Sequence, residues 1–194
     1  MSVMGYFTVD KEEIFVDTNE LKRRLSLPYD FDVSCFDDML ARVMNEIMPK
    51  VCFVRTKIEI CENTVDFGAF KTESRDLAKN LSGCSEAFVF AVTIGHSVDR
   101  LLSRMSLLSP GDFFICDAAG SAIVEGVCDV AENKIKAGLC CKARFSPGYG
   151  DFPLSVQREL LKSLDAEKRL GITLTDSLLM LPQKSITAVM GVKE

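Results

Sequence analysis

Apolar side chains recur along this chain with two different periods, and the switches between them lay out its elements. Phe36, Met39, Leu40, Val43, Met44, Ile47 and Met48 keep the i, i+3, i+4, i+7 spacing of one helical face, with Ser34 placed to cap the helix and Pro49 to end it. Val54, Thr56, Ile58 and Ile60 then alternate with Arg55, Lys57 and Glu59, the pattern of a strand with one face in water. Leu77 and Leu81 mark a short helix that stops at Gly83. From Ala87 to Ile94 the chain is continuously apolar, β-branched and aromatic up to Gly95, which predicts the central strand of a sheet.

Helical spacing returns after Ser97, a second candidate cap, with Val98, Leu101, Leu102 and Met105 on one face. Pro110 opens a longer helix running to about Ala137, where Gly138 stops it. This helix is rich in small residues, Ala118, Ala119, Gly120, Ser121, Ala122 and Gly126, so it is expected to pack closely on a sheet or another helix. Asp117, Ser121 and Glu125 form a polar stripe along it, read either as a solvated face or as one wall of a cleft. Pro153 opens a last helix carrying Leu160, Leu161 and Leu164 and ending at Gly171, and Ile186 to Val192 reads as an edge or return strand. Helices and strands interleave without regular βαβ spacing, which predicts an α+β fold with a mainly antiparallel sheet.

The composition sets bounds on this picture. A chain of 194 residues, 47% hydrophobic and 26% charged, is expected to fold as one domain spanning 1–194. Its 23 Lys and Arg against 28 Asp and Glu leave a formal charge of −5, which argues against nucleic acid as a partner. No stretch reaches the ~20 apolar residues of a membrane helix, and Met1 to Asp10 lack a secretory leader, so the expected location is cytoplasmic and the eight cysteines are expected as reduced thiols. Neither G-x-G-x-x-G nor G-x-x-x-x-G-K-[ST] occurs, which removes the usual nucleotide-phosphate fingerprints. His96 is the lone histidine, just past a predicted strand end. It is placed either as a general base or as a helix-entry residue, and the absence of G-x-S-x-G favours the latter.

One stretch stands apart from the periodic elements, Arg144-Phe145-Ser146-Pro147-Gly148-Tyr149-Gly150-Asp151-Phe152-Pro153. Two prolines and two glycines within it exclude a regular element, yet it carries aromatic side chains and an arginine. Pro147 fixes φ, Gly148 and Gly150 allow close backbone approach, and the guanidinium of Arg144 suits a carboxylate. An amino-acid-bearing ligand with a flat ring fits these groups. An arginine salt bridge with aromatic plugs closing the sheet fits them equally.

Arg144, Pro147, Gly148 and Tyr149 satisfy R-x-x-P-G-Y, and further matches follow in order. Gly171 to Ser177 correspond to G-x-x-L-T-[DE]-S, and Met180, Pro182 and Ser185 to M-x-P-x-x-S. In these motifs the chain resembles the S-adenosylmethionine-binding activation domain of cobalamin-dependent methionine synthase, most clearly over residues 84–191, with 1–83 unassigned. The resemblance implies a helmet-shaped, twisted antiparallel sheet with flanking helices. It also implies a cofactor site at Arg144, Ser146, Pro147, Gly148 and Tyr149, with Arg144 on the ligand carboxylate and the backbone near Ser146 and Tyr149 on the adenosine. No catalytic or metal-ligating residue is expected.

The implied activity is that of a reactivation subunit in a split methionine synthase. S-adenosylmethionine would supply a methyl group to cob(II)alamin, which is held on a corrinoid-binding partner and reduced by a flavodoxin-type donor. The chain alone is not expected to turn over, and a ligand-sensing or scaffold role, or service to another corrinoid methyltransferase, is the alternative. The family's acidic residue six positions before the motif arginine falls at Gly138, with Glu125 and Asp151 as candidate substitutes, and the family's aromatic region after the final strand has no counterpart.

Overall fold

The computed structural model describes residues 3–193, so Met1, Ser2 and Glu194 of the expected 1–194 span lie outside the described residues. In chain order the first half forms β1 (Val3–Thr8), α1 (Thr18–Arg24), α2 (Asp37–Glu46), β2 (Lys50–Lys57), β3 (Glu59–Cys61), β4 (Thr64–Asp66), β5 (Lys71–Glu73) and α3 (Arg75–Asn80). The second half forms β6 (Glu86–Thr93), α4 (His96–Leu108), α5 (Pro110–Lys136), α6 (Gln157–Ser163), α7 (Ala166–Leu170), β7 (Thr173–Leu174), β8 (Met180–Leu181) and β9 (Ser185–Val192). The main sheet has the order β1-β2-β6-β9 with every pair antiparallel, while β3-β4-β5 form a small meander and β7-β8 a hairpin.

The expected α+β class and the inner position of the Ala87–Ile94 run both hold. Alternate residues of β6 feed two separate cores: Phe88, Phe90 and Val92 pack among α1, α2, α4 and α5, and Ala87, Val89 and Ala91 pack among α3, α6, α7 and the small meander. Burial on both faces is why this strand reads as an unbroken apolar run rather than an alternating one. The expected wet face of Val54–Ile60 holds at Lys57 and Glu59, which are exposed opposite buried Val54 and Ile58, but the start of the strand is covered on both faces. Cys52 and Val54 are buried on one side of β2 and Val51 on the other, and the segment breaks near Ile58 into β2 and β3.

Helix ends differ from the expected caps. Asp32, not Ser34, caps a 3-10 turn over Val33–Phe36, its carboxylate accepting from the Ser34 N–H at 2.9 Å. Gly95 at φ 90° precedes α4, with its N–H donating to Thr93 Oγ1, and Ser97 lies inside that helix. The last helix splits into α6 and α7 at Asp165, which adopts φ 51°. α5 begins at Pro110 and closes through Ala137 and Gly138, both in the left-handed region. Its small residues place it against α1, α2 and α4 as well as β6 and β9, as expected for a helix apolar on nearly all sides. Cys35, Cys52, Cys61, Cys116, Cys128, Cys140 and Cys141 are free thiols, and burial pushes Cys52 and Cys128 up to about 12. Among the described residues no helix is long and apolar enough to cross a membrane.

Candidate functional site at the β9 edge

β9 is the last strand of the sheet, and its free edge would expose unpaired backbone groups. The 144–153 loop covers part of it. Phe145 and Val189 exchange both backbone hydrogen bonds at 2.9 Å, and the Lys142 N–H donates to Gly191 O at 2.8 Å. The loop then turns sharply: Gly148, at φ 92°, donates to Phe152 O at 2.8 Å, and the Tyr149 N–H donates to Ser146 O at 3.2 Å. Phe152 is buried and stacks on Phe145 with ring centroids 6.1 Å apart. Asp151 ties the loop to α3, accepting from Ser74 Oγ at 2.5 Å and from the N–H groups of Arg75 and Asp76 at 3.0 and 3.1 Å. These bonds to the start of α3 hold the Asp151 carboxyl below the usual range, with Ser74 the main cause. Asp151 is therefore a structural cap, and of the two candidate acids only Glu125 meets the motif arginine.

A cavity of about 340 Å³ lies between the loop, β9, α5 and α6, lined by Glu125, Arg144, Phe145, Ser146, Pro147, Tyr149, Gln157, Met180, Ser185, Ile186 and Thr187. Four of the five expected site residues are thus brought together, and Gly148 shapes the turn without lining the cavity. The M-x-P-x-x-S motif contributes Met180 and Ser185. The Gly171–Ser177 stretch closes α7 and builds the β7-β8 hairpin, where Thr175 Oγ1 accepts from the Leu179 N–H at 3.0 Å.

Arg144 reaches across to one face of α5. Its Nη2 donates to Glu125 at 2.8 Å and its Nη1 to Asp129 at 2.8 Å and to Glu132. Burial works against this guanidinium, but Cys128 and the Asp129 and Glu132 carboxylates outweigh burial and raise its pKa further. A guanidinium carries five N–H donors. Among the described residues, the Nε–H and the second Nη2–H have no partner, so two of the five donors are unused. The polar stripe on α5 is no solvated face: Lys184 Nζ, itself buried, donates to Asp117 at 2.7 Å and to Ser121 at 2.8 Å, and Glu125 meets Arg144.

A second cavity of about 290 Å³ shares Glu125 and Arg144 and is walled on its far side by Phe15, Asp17, Glu20 and Arg23. The N-terminal stretch, which no motif identifies, thus lies beside the site, across the shared Glu125 and Arg144. Gln157, Thr187 and these N-terminal residues carry no sequence signal for their position, since each reaches the site through tertiary packing. His96 is placed at the start of α4, its Nε2 3.1 Å from Gly171 O, as a helix-entry residue.

The family model for the "Vitamin B12 dependent methionine synthase, activation domain" matches residues 133–194. No curated protein matches the chain by sequence. Among solved structures, the MetH reactivation domain bound to AdoHcy superposes with a TM-score of 0.77 at 14% identity, covering 97% of this chain and 78% of that one. The protein carries the fold of the methionine synthase activation domain along its length and that family's sequence signature over residues 133–194.

Proposed function

We propose that the chain binds S-adenosylmethionine in the β9-edge cavity and presents its methyl group to a corrinoid held by a separate methionine synthase subunit. The observation that carries this reading is the convergence of Arg144, Ser146, Pro147 and Tyr149 with Met180, Ser185 and Glu125 on one cavity. Arg144 and Glu125 form an amphoteric end: the unpartnered Nε–H and Nη2–H suit an α-carboxylate, and the Glu125 carboxylate suits an α-ammonium. Glu125 thereby takes the place of the acid that is glycine at position 138. When bound, S-adenosylmethionine supplies an electrophilic methyl group, and the partner's corrinoid supplies the metal that accepts it after one-electron reduction by a flavodoxin-type donor. The chain's own residues bind, orient and shield the ligand, which is positioning rather than acid-base work.

Calorimetry with S-adenosylmethionine tests the reading. Wild type is expected to bind, Arg144→Ala to bind at least about tenfold more weakly, and Lys142→Ala to match wild type, provided circular dichroism shows each folded. Each charge-assisted bond is worth roughly 1.5–3 kcal/mol, and about 1.4 kcal/mol is a factor of ten. One observation favours a second reading, a ligand-free scaffold: three carboxylates already engage Arg144. Absence of binding to wild type, or equal affinity for Arg144→Ala, supports that second reading.

A further inference from the structure

The two ends of the β9-edge cavity differ in character. The strand runs antiparallel to the motif loop, with Phe145 opposite Val189 and Lys142 bonded to Gly191, so Arg144 lies toward Gly191 and Ser185 to Thr187 lie at the other end. That far end is formed by Gln157, Met180, Ser185, Ile186 and Thr187, none of them ionisable. Most of its polar groups are already satisfied. The Ser185 hydroxyl lies 2.7 Å from Pro182 O and 2.9 Å from Thr93 Oγ1. A carbonyl only accepts, so the Ser185 proton goes to Pro182 and the Thr93 hydroxyl returns a donor to Ser185. Thr187 Oγ1 donates to Gln157 Oε1 at 3.2 Å.

Gln157 is different. It is only 5% exposed, and its Nε2 makes one long contact, 3.4 Å, to Leu178 O. That carbonyl fixes the amide orientation, nitrogen toward the β7-β8 hairpin and oxygen toward Thr187. The nitrogen carries two protons, and the second has no partner among the described residues. A buried donor left unpaired is costly unless something else completes it.

We infer that Gln157 is a specificity-determining residue of this cavity, its Nε2–H donating to an unprotonated ring nitrogen of the ligand's heteroaromatic base. The inference rests on the proposed S-adenosyl ligand, whose charged amino-acid end is taken by Glu125 and Arg144. The uncharged end is left for the base, where the Met180 thioether offers a polarisable surface for its face. A site built to donate one hydrogen bond rejects an analogue that lacks the acceptor.

The test is calorimetry with S-adenosylhomocysteine and its 1-deaza, 3-deaza and 7-deaza analogues, each replacing one ring nitrogen by C–H, on wild type and on Gln157→Met. One analogue is expected to bind wild type at least about tenfold more weakly than the parent, and to match the parent on Gln157→Met. A Gln157 that only holds the hairpin would lower all affinities by one factor and leave the ratios unchanged, which overturns the inference. If Gln157→Met does not fold, Thr187→Val, which removes the hydroxyl that holds the amide oxygen, should shrink the same ratio. Wild type that binds the parent and all three analogues equally overturns the inference alone. Wild type that binds none of them overturns the S-adenosyl reading as well.

Discussion

Arg144 faces the Glu125, Asp129 and Glu132 carboxylates of α5, with the Lys136 ammonium bonded to Glu132 at 2.8 Å as a second cation. Burial pushes Glu132 up, but Lys136 and Arg144 outweigh it and hold its carboxyl below the ordinary value of 4.5. A depressed folded-state pKa means that the unfolded chain binds the proton first as pH falls. The contribution is therefore complete above 4.5 and is lost as pH drops from there through the folded value. Glu132→Gln should unfold at lower urea than wild type at pH 7, and the gap should close as pH falls through this window. A gap that stays constant down to pH 3 would mean that Glu132 contributes by packing rather than by charge. The same cluster shows why the residue scale was only half legible in the sequence. The R-x-x-P-G-Y spacing identified the loop, but Glu125, Asp129 and Glu132 become its partners only because tertiary packing brings that face of α5 to Arg144.

At the scale of elements, α5 meets the N-terminal strap, the chain at Ile14 and Phe15 that leads into α1, at Gly126, which has no side chain to intervene. A Cβ at Gly126 would collide with the Phe15 carbonyl and crowd Ile14 Cγ2 at 3.1 Å. Helix propensity alone favours alanine by about 1 kcal/mol. The obstacle here is backbone, which cannot swing aside, and overpacking of this kind costs about 1–3 kcal/mol. The clash wins, so Gly126→Ala should lower the urea midpoint, whereas Gly111→Ala, with nothing within 4 Å of the new methyl, should not. A Gly126→Ala protein as stable as wild type would show that the strap is free to move from the helix. Elements with one environment were legible in the sequence. The Pro110 start, the Gly138 stop and the continuous run of β6 all follow from local chemistry. The covered second face of β2, with Val51 and Phe53, was not, because α1, α2, α4 and α5 reach it from distant parts of the chain.

For the whole molecule, both faces of the main sheet are covered at β6 and β9 and the β9 edge carries the cavity, so under the proposed function a partner approaching the ligand must meet the cavity mouth. Tyr149, 66% exposed, stands on that rim, and Leu154 and Leu179 are exposed on the neighbouring turn and hairpin. Contact through apolar side chains by a molecule of net charge −5 should depend on buried area more than on electrostatic steering. Under the proposed function, a cobalamin-binding methionine synthase subunit should associate weakly, and more tightly in its cob(II) state than when methylated. Raising salt from 50 to 300 mM should change the dissociation constant less than about threefold, since steering is the component that salt screens. Leu179→Glu should weaken association by about tenfold or more while leaving S-adenosylmethionine affinity unchanged, because Leu179 lies outside the cavity lining. Sedimentation velocity in both redox states decides this. A complex that dissolves with salt and ignores Leu179→Glu would place the contact on the charged helices instead, and no complex in either state would remove the subunit role from this chain.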